Sequence, residues 1–406
     1  MNSVCLVVQN VYDVDPRVRR KAEALVSAGH SVDVLALRSL NGPKAYTVNG
    51  VNVYTLSLGK KRGSLARYAL EYAVFFLWAL VRVTVLMRKR RYTAVDISTL
   101  PDFLIFAAVP ARWMGAKLIL DMHEITPEFY MSKYGIREGS WVVRLLEYQE
   151  KISFNCADYV LTITEPIQDL LVGRGLDPAK TRVVMNAVDE APFSGAIGAD
   201  CVVPDPDKFV MMYHGTLTRV YGLELAVEAF SLAHANMPGA EFWILGSGTE
   251  ERTLTDLARK LGVSSKVKLL GRVPSTEIPK WLSRCDAGIL PMRRDVFLEF
   301  AFPNKLPEFI IMGKPVLMSR LKTICHYFSD TALAYFESND PADLAKQMLR
   351  LYRSRDLRTR LSANAKQEYA PLRWGIMKRR YLDLIEDVST SGGPEMETRE
   401  TAAVAR

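Results

Sequence analysis

One alternation, run through twice, constrains this chain most. SVCLVVQ, SVDVLAL, VNVYTLSL, AVDIST, KLILDMH and YVLTIT are β-branched runs of strand length, each followed by a helical or loop segment. From Ala187 to Lys208 the pattern lapses into a stretch rich in Gly, Pro and Asp. It then resumes through FVMMYHG, EFWILGSG, KVKLLGRV, AGILPM and KPVLMS. Strand–helix alternation predicts parallel, doubly wound α/β sheets, and the lapse predicts two of them. The expected domains are residues 1–190 and 207–370. A last helix follows at 371–388, and a polar tail at 389–406 is expected to be disordered. In such sheets ligands bind beyond the carboxyl ends of the strands. That rule directs attention to the loops after Gln9, Leu120, Tyr213, Leu245, Leu270 and Leu290.

The 406 residues are 49% hydrophobic and 24% charged, which supports two cores and excludes a disordered chain. Five cysteines, with no two at CxxC spacing, argue against a disulfide framework or a zinc site and fit a reducing, cytoplasmic setting. The first residues show no signal-peptide pattern. The formal charge of +8 is concentrated. Between Leu58 and Tyr92 nine basic residues stand against one acid, Glu71, so this segment carries the whole excess. The same segment contains YAVFFLWALV and VTVLM. An uncharged run of ten is short for a membrane span of about 20 residues. A basic amphipathic helix near 64–91, lying on an anionic membrane surface, is the preferred reading. The alternative is a core helix with solvated ends. Nucleic acid is not expected as a partner, because no recognition motif accompanies the charge.

MMYHGTLTRVYGLELAVEAF, WILGSGTEE, VKLLGRVP, CDAGILPM and FPNKLPEFIIMGKPVLMS occur in that order, after DPRVRRKAEALVSAGHSVDVLAL, LDMHE, ADYVLTITEPI and VVMNAVD. This ordered set resembles the family 4 retaining glycosyltransferases of the GT-B fold, over residues 1–388. The resemblance implies two Rossmann-like domains facing a cleft, with the C-terminal helix crossing back to the N-terminal domain. It also implies a nucleotide-diphosphate sugar as co-substrate.

Several residues suit that chemistry. A departing diphosphate needs cations and backbone N–H groups placed in advance. Gly215 and Thr216 form a small-residue loop before a helix, with Arg219 beside it. Lys305 opens the next candidate helix and can meet the phosphate as a point charge, with Glu308 one turn on to accept ribose hydroxyls. An ordinary i,i+3 ion pair is the plainer reading of those two. Asn304 and Leu306 flank the lysine. Gly246 and Gly248 let a backbone pass close to the donor. By resemblance, the Arg272–Val273 peptide holds the base and His123 faces the sugar. Asp121 and Glu124 stand beside His123. Asp13 and Arg17, with Asp15, are candidates for the acceptor side or for helix capping. Arg219, Lys305 and His123 are the expected catalytic group.

The chain departs from the family pattern. Eight positions before Glu308 is Phe300, not a glutamate, and Glu299 is one place off register. Thr216 and Tyr221 stand where relatives often carry Arg and Lys, and NVYD replaces the glycine-rich turn after the first strand. Two DxD triplets, Asp13–Asp15 and Asp205–Asp207, lie in a helix-start loop and a linker, and no metal or other cofactor is expected. The absence of a paired-carboxylate motif suits a front-face displacement without a protein nucleophile. The expected acceptor is a lipid-linked or surface polysaccharide hydroxyl, and the expected location is the inner face of the membrane. Two rivals stand beside this reading: a sugar-nucleotide epimerase of the same fold, and a catalytically silent, membrane-associated partner subunit.

Overall fold

The computed structural model describes residues 1–58, 65–195 and 208–390. The basic residues Lys60, Lys61 and Arg62, the triplet Asp205–Asp207, Cys201 and the tail beyond Thr390 lie outside the described residues.

The N-terminal sheet contains β1 (Ser3–Val11), β2 (Ser31–Leu37), β3 (Ala45–Val48), β4 (Val51–Leu56), β5 (Ala94–Ser98), β6 (Lys117–Met122), β7 (Tyr159–Thr162) and β8 (Thr181–Val183). They lie in the order β3-β4-β2-β1-β5-β6-β7-β8. All pairs are parallel except the β3–β4 hairpin, which sequence patterning missed. Its signal was nonetheless local. Asn49 and Gly50 both take positive φ, 49° and 79°, the geometry of a tight hairpin turn that an Asn-Gly pair favours.

The second sheet contains β9 (Phe209–His214), β10 (Ala240–Leu245), β11 (Val267–Gly271), β12 (Ala287–Leu290), β13 (Val316–Ser319) and β14 (Ala334–Phe336), ordered β11-β10-β9-β12-β13-β14. Its pairs are parallel throughout. The central strands are buried on both faces, which is why FVMMYH and AGIL read as continuous apolar runs rather than alternating ones.

Helices cover both faces of the N-terminal sheet. On one side lie α1 (Pro16–Ser27) and the C-terminal helix Trp374–Thr390. Asp15 caps α1 by accepting from Arg17 N, and Pro16 fills the first turn, where its missing N–H costs nothing. The C-terminal helix leaves the second domain and packs on α1 and β5, burying Met377, Tyr381, Leu384 and Ile385. On the other side lie α2 (Leu65–Arg90), the 3-10 segment Asp102–Ala108, α3 (Val109–Trp113) and α5 (Trp141–Cys156), with α4 (Thr126–Tyr134) packed on α5. By length and composition α2 could cross a membrane. Instead it packs Phe75, Ala79, Val83 and Met87 against the sheet.

Candidate active site

Beyond the carboxyl ends of β9, β10 and β11 lies a cavity of about 900 Å³. Gly215 leaves β9 with φ +129°, and a Cβ there would lie 2.1 Å from Lys305 Cε. That backbone conformation favours glycine, and the first loop lies against the lysine stem. Gly246 does the same for the second loop, since its Cβ would lie 1.8 Å from the Gly215 carbonyl oxygen. Thr216, Ser247, Arg272, Val273, Asn304, Lys305 and Glu308 also line it, with His214 behind Glu308. The strand-end rule therefore found this cavity.

Lys305 and Glu308 share one face of the short helix Lys305–Ile311. Burial pushes the lysine down to about 8, and Glu308 opposes that shift. Burial raises Glu308 to about 7, against the charges of Lys305 and Arg20. The ammonium lies 4.3 Å from the centre of the Tyr221 ring. His214 Nε2 is 3.3 Å from Glu308 Oε2. Burial, reinforced by Lys305, holds that imidazole down at about 3, so it is neutral at physiological pH.

Three expectations fail here. Arg219 is exposed on a 3-10 turn and lines neither this cavity nor the interdomain cleft. The turn ends in left-handed Gly222 and presents Val220 and Tyr221 to the cleft in its place. Leu306, one residue round the helix from Lys305, is fully buried in the core, and its N–H is spent on the Pro303 carbonyl. Gly248 packs on the backbone of Leu217 behind the wall, and Ser247 lines the cavity instead.

A second cavity, of about 650 Å³, occupies the interdomain cleft. Lys305 and Asn304 line both cavities, so the two spaces meet at the lysine. From the N-terminal domain come Asn10, Asp15, Arg17, His123 and Glu124. Arg17 pairs with Asp15 at 2.9 Å. Burial raises Glu124, with Arg17 opposing. The remaining wall is largely apolar, built from Phe129, Ile163, Phe297, Phe300 and Phe302 among others, with Ser132, Lys133 and Asn186 as its polar members. Phe129 and Phe297 meet edge to face across the domains at 5.4 Å, and Ser132 Oγ donates to Asp295 Oδ2 at 2.7 Å beside them.

His123 is oriented from behind. Its Nε2 lies 2.7 Å from Asp121 Oδ2, and its Nδ1 lies 3.5 Å from Asn186 Nδ2. Lys21 bonds Asp121 and lies 3.7 Å from Asp96, whose other contact is the Tyr381 hydroxyl at 2.7 Å. Burial would raise Asp121, but His123 and Lys21 hold it below the usual carboxylate range. Burial lowers His123, with Asp121 opposing. Asp121 is thus a buried support, with 1% exposure, rather than an acceptor contact. Asp13 also turns away from the cleft, with both carboxylate oxygens accepting from the Tyr46 hydroxyl. Glu299 is held outside both cavities, accepting from Lys322 N and pairing with Arg294.

Comparison with known proteins follows the same division. The family model "Glycosyl transferase 4-like domain" matches residues 14–187, and "Glycosyl transferases group 1" matches residues 202–368. The chain belongs to family 4 of the glycosyltransferases. Glycogen synthase of Mycobacterium tuberculosis is 25% identical over 299 residues, 69% of each chain. The gpi3 subunit of phosphatidylinositol N-acetylglucosaminyltransferase from Schizosaccharomyces pombe is 21% identical over 360 residues, 85% of this chain and 72% of its own. Among solved structures, sucrose-phosphate synthase from Thermosynechococcus elongatus superimposes with a TM-score of 0.78 at 17% identity, over 96% of this chain and 100% of its own. Anabaena HepE in complex with UDP gives 0.69 at 14% identity, over 95% and 100%. The fold of this glycosyltransferase is GT-B.

The sequence reading of the enzyme overlooked His214 and the aromatic wall. His214 was visible as the last strand residue before Gly215. The aromatic wall had no such signal, because Phe129 and Phe297 come from different domains.

Proposed function

We propose that this glycosyltransferase is a retaining enzyme. It moves a sugar from a nucleotide-diphosphate sugar to a hydroxyl of a lipid-linked or surface-polysaccharide acceptor, at the inner face of the membrane and without a metal. The observation that carries the reading is the position of Lys305, on the wall shared by the two cavities with Gly215 against its stem. A diphosphate over the Gly215 loop would place its leaving oxygens at that ammonium, and Glu308 would accept from the ribose hydroxyls. The bond from the anomeric carbon to the diphosphate breaks as the acceptor oxygen approaches from the same face. The acceptor proton passes to the departing phosphate oxygen, so no protein nucleophile is needed. His123, held by Asp121, faces the cleft where the sugar and acceptor would meet. Arg17, paired with Asp15, adds a guanidinium to that side of the cleft.

Two resemblances support the substrate classes. The HepE neighbour was solved with UDP, and the Schizosaccharomyces relative is named for a lipid acceptor. The test is calorimetry with UDP, GDP and dTDP, followed by turnover of the matching sugars with and without chelator. One diphosphate should bind wild type and bind Lys305→Ala far more weakly. Equal binding by both proteins, or turnover abolished by chelator, would overturn the reading.

A further inference from the structure

The outer surface of the layer formed by α2, α3 and α5 is unlike the rest of the molecule. On α2, Leu70, Val74, Leu77, Val81 and Val85 are exposed at spacings of three and four, which align them in one stripe, and exposed Arg88 continues it. On α5, Trp141, Leu145, Tyr148 and Ile152 form a second stripe by the same rule. Both helices pack on the segment Asp102–Ala108, so the stripes flank it on one face of the sheet. At the end of α3, Trp113 is 81% exposed. Of twenty exposed large hydrophobic side chains among the described residues, eleven lie on these two helices and at the end of α3. Scattered exposed side chains need no explanation, but aligned stripes mark an interaction surface.

A third cavity, of about 530 Å³, lies at one end of this layer, where α2 ends and β6 begins. Arg88, Arg91 and Lys117 line it, with Met87 and Met114 as apolar neighbours. Arg88 and Arg91 meet no carboxylate among the described residues, whereas Arg90, between them, faces Asp33 at 3.4 Å. Lys117 Nζ lies 3.9 Å from Asp158. Arg91 takes φ 51°, a left-handed conformation that costs a non-glycine residue energy.

We infer that the α2–α3–α5 surface lies on an anionic membrane, and that the Arg88–Arg91–Lys117 cavity receives the phosphate of a lipid headgroup. Charge complementarity selects the occupant. From Leu65 to Arg91 the chain has six basic residues and one acid, Glu71, which pairs with Arg67. A neutral protein partner would satisfy the stripes and leave two guanidinium groups without anions. A phosphate takes forked bonds from both, while the apolar side chains enter the acyl boundary. With a rise of about 1.5 Å per residue, α2 is roughly 40 Å long and would lie flat in the interface. The layer also reaches the active site. The chain preceding α5 is α4, whose Phe129, Ser132 and Lys133 line the interdomain cleft. An acceptor with a lipid tail could enter there without leaving the bilayer. The inference names the surface for the membrane partner proposed above, and it is independent of donor binding.

Vesicle flotation of the full chain tests it, with phosphatidylcholine alone and with phosphatidylglycerol added. Wild type should float only on the anionic vesicles. R88E/R91E should lose at least roughly thirtyfold in partition, the effect of removing two basic residues from an anionic surface, to which the two new acids add. W141D/Y148D should lose a comparable factor. Melting temperature and nucleotide-diphosphate affinity should stay at wild-type values in both variants. Wild type that does not float, or that binds inorganic phosphate in the cavity yet ignores vesicles, overturns the proposal while leaving the transferase reading intact. Floating by R88E/R91E at wild-type level overturns the headgroup site. Floating by W141D/Y148D at wild-type level overturns the part given to α5. A concentration-dependent dimer abolished by W141D/Y148D, with no vesicle binding, assigns the surface to self-association instead.

Discussion

The proposed donor wall and the proposed acceptor wall meet at Lys305, yet they are built by different means. The donor wall is built on loops after three neighbouring strands, with Gly215 and Gly246 allowing close approach, and on single polar side chains such as Arg272, Asn304, Lys305 and Glu308. The acceptor wall is mostly side chains, with aromatic groups from both domains in front and a buried charge cluster behind. A wall of strand-end loops is set by strand order and tolerates substitution wherever a side chain points away. A wall of packed side chains and buried charges depends on every contributor. The donor half should therefore fail through single groups, and the acceptor half through loss of support.

The largest effect should come from that support. Lys21→Met leaves Asp96 and Asp121 buried without their cation and should cost about 3–5 kcal/mol of stability, read from urea unfolding. A loss below about 1 kcal/mol would mean that the acceptor side is no more interdependent than the donor side. Next, Lys305→Ala should leave the fold intact and lower kcat by about 10²–10³-fold, the usual effect of removing one preorganised group from a developing anion. Unchanged turnover would remove the donor wall from the chemistry.

On the acceptor wall, Phe297→Ala should raise the acceptor KM by roughly tenfold, since a Phe contact is worth about 1.5–3 kcal/mol when fully buried. Nucleotide affinity should not move, and a parallel change in both constants would blur the division. The pH profile of kcat/KM sharpens the comparison further. Below about 7 the raised Glu308 takes a proton and stops accepting from the ribose. Above about 8 Lys305 loses its charge. The pair thus gives a bell with limbs near these values. Glu308→Gln should abolish the acid limb, and its persistence would assign that limb to Glu124 across the cleft. The smallest effect belongs to Arg219→Ala, expected to stay within about twofold in kcat because the exposed side chain lines neither cavity.

Much of the donor wall was legible. Gly215, Thr216, Gly246, Asn304, Lys305 and Glu308 were named from strand ends and helix starts, Arg272 and Val273 by resemblance, and they converge on one cavity. Arg219 was misjudged because position after a strand end does not say which way a 3-10 turn faces. Left-handed Gly222 decided that, and it presented Tyr221 instead. On the acceptor side Glu124 and Arg17 were legible by the same local rules, and His123 by resemblance. The supporting cluster was not, because Lys21, Asp96, Asp121 and Tyr381 have no relation in sequence.

The amino-acid pattern alone determined the two mostly parallel sheets, the break between them and the strand-end loops that line the first cavity. All of these follow from periodicity and turn chemistry acting over a few residues. Tertiary structure alone decided which side chains share a space. It brought Phe129 to Phe297, set Tyr381 against Asp96, turned Asp13 toward Tyr46, and lined up the stripes of α2 and α5. Those contacts depend on how helices pack across sheets and how the domains close, and no local spacing records that.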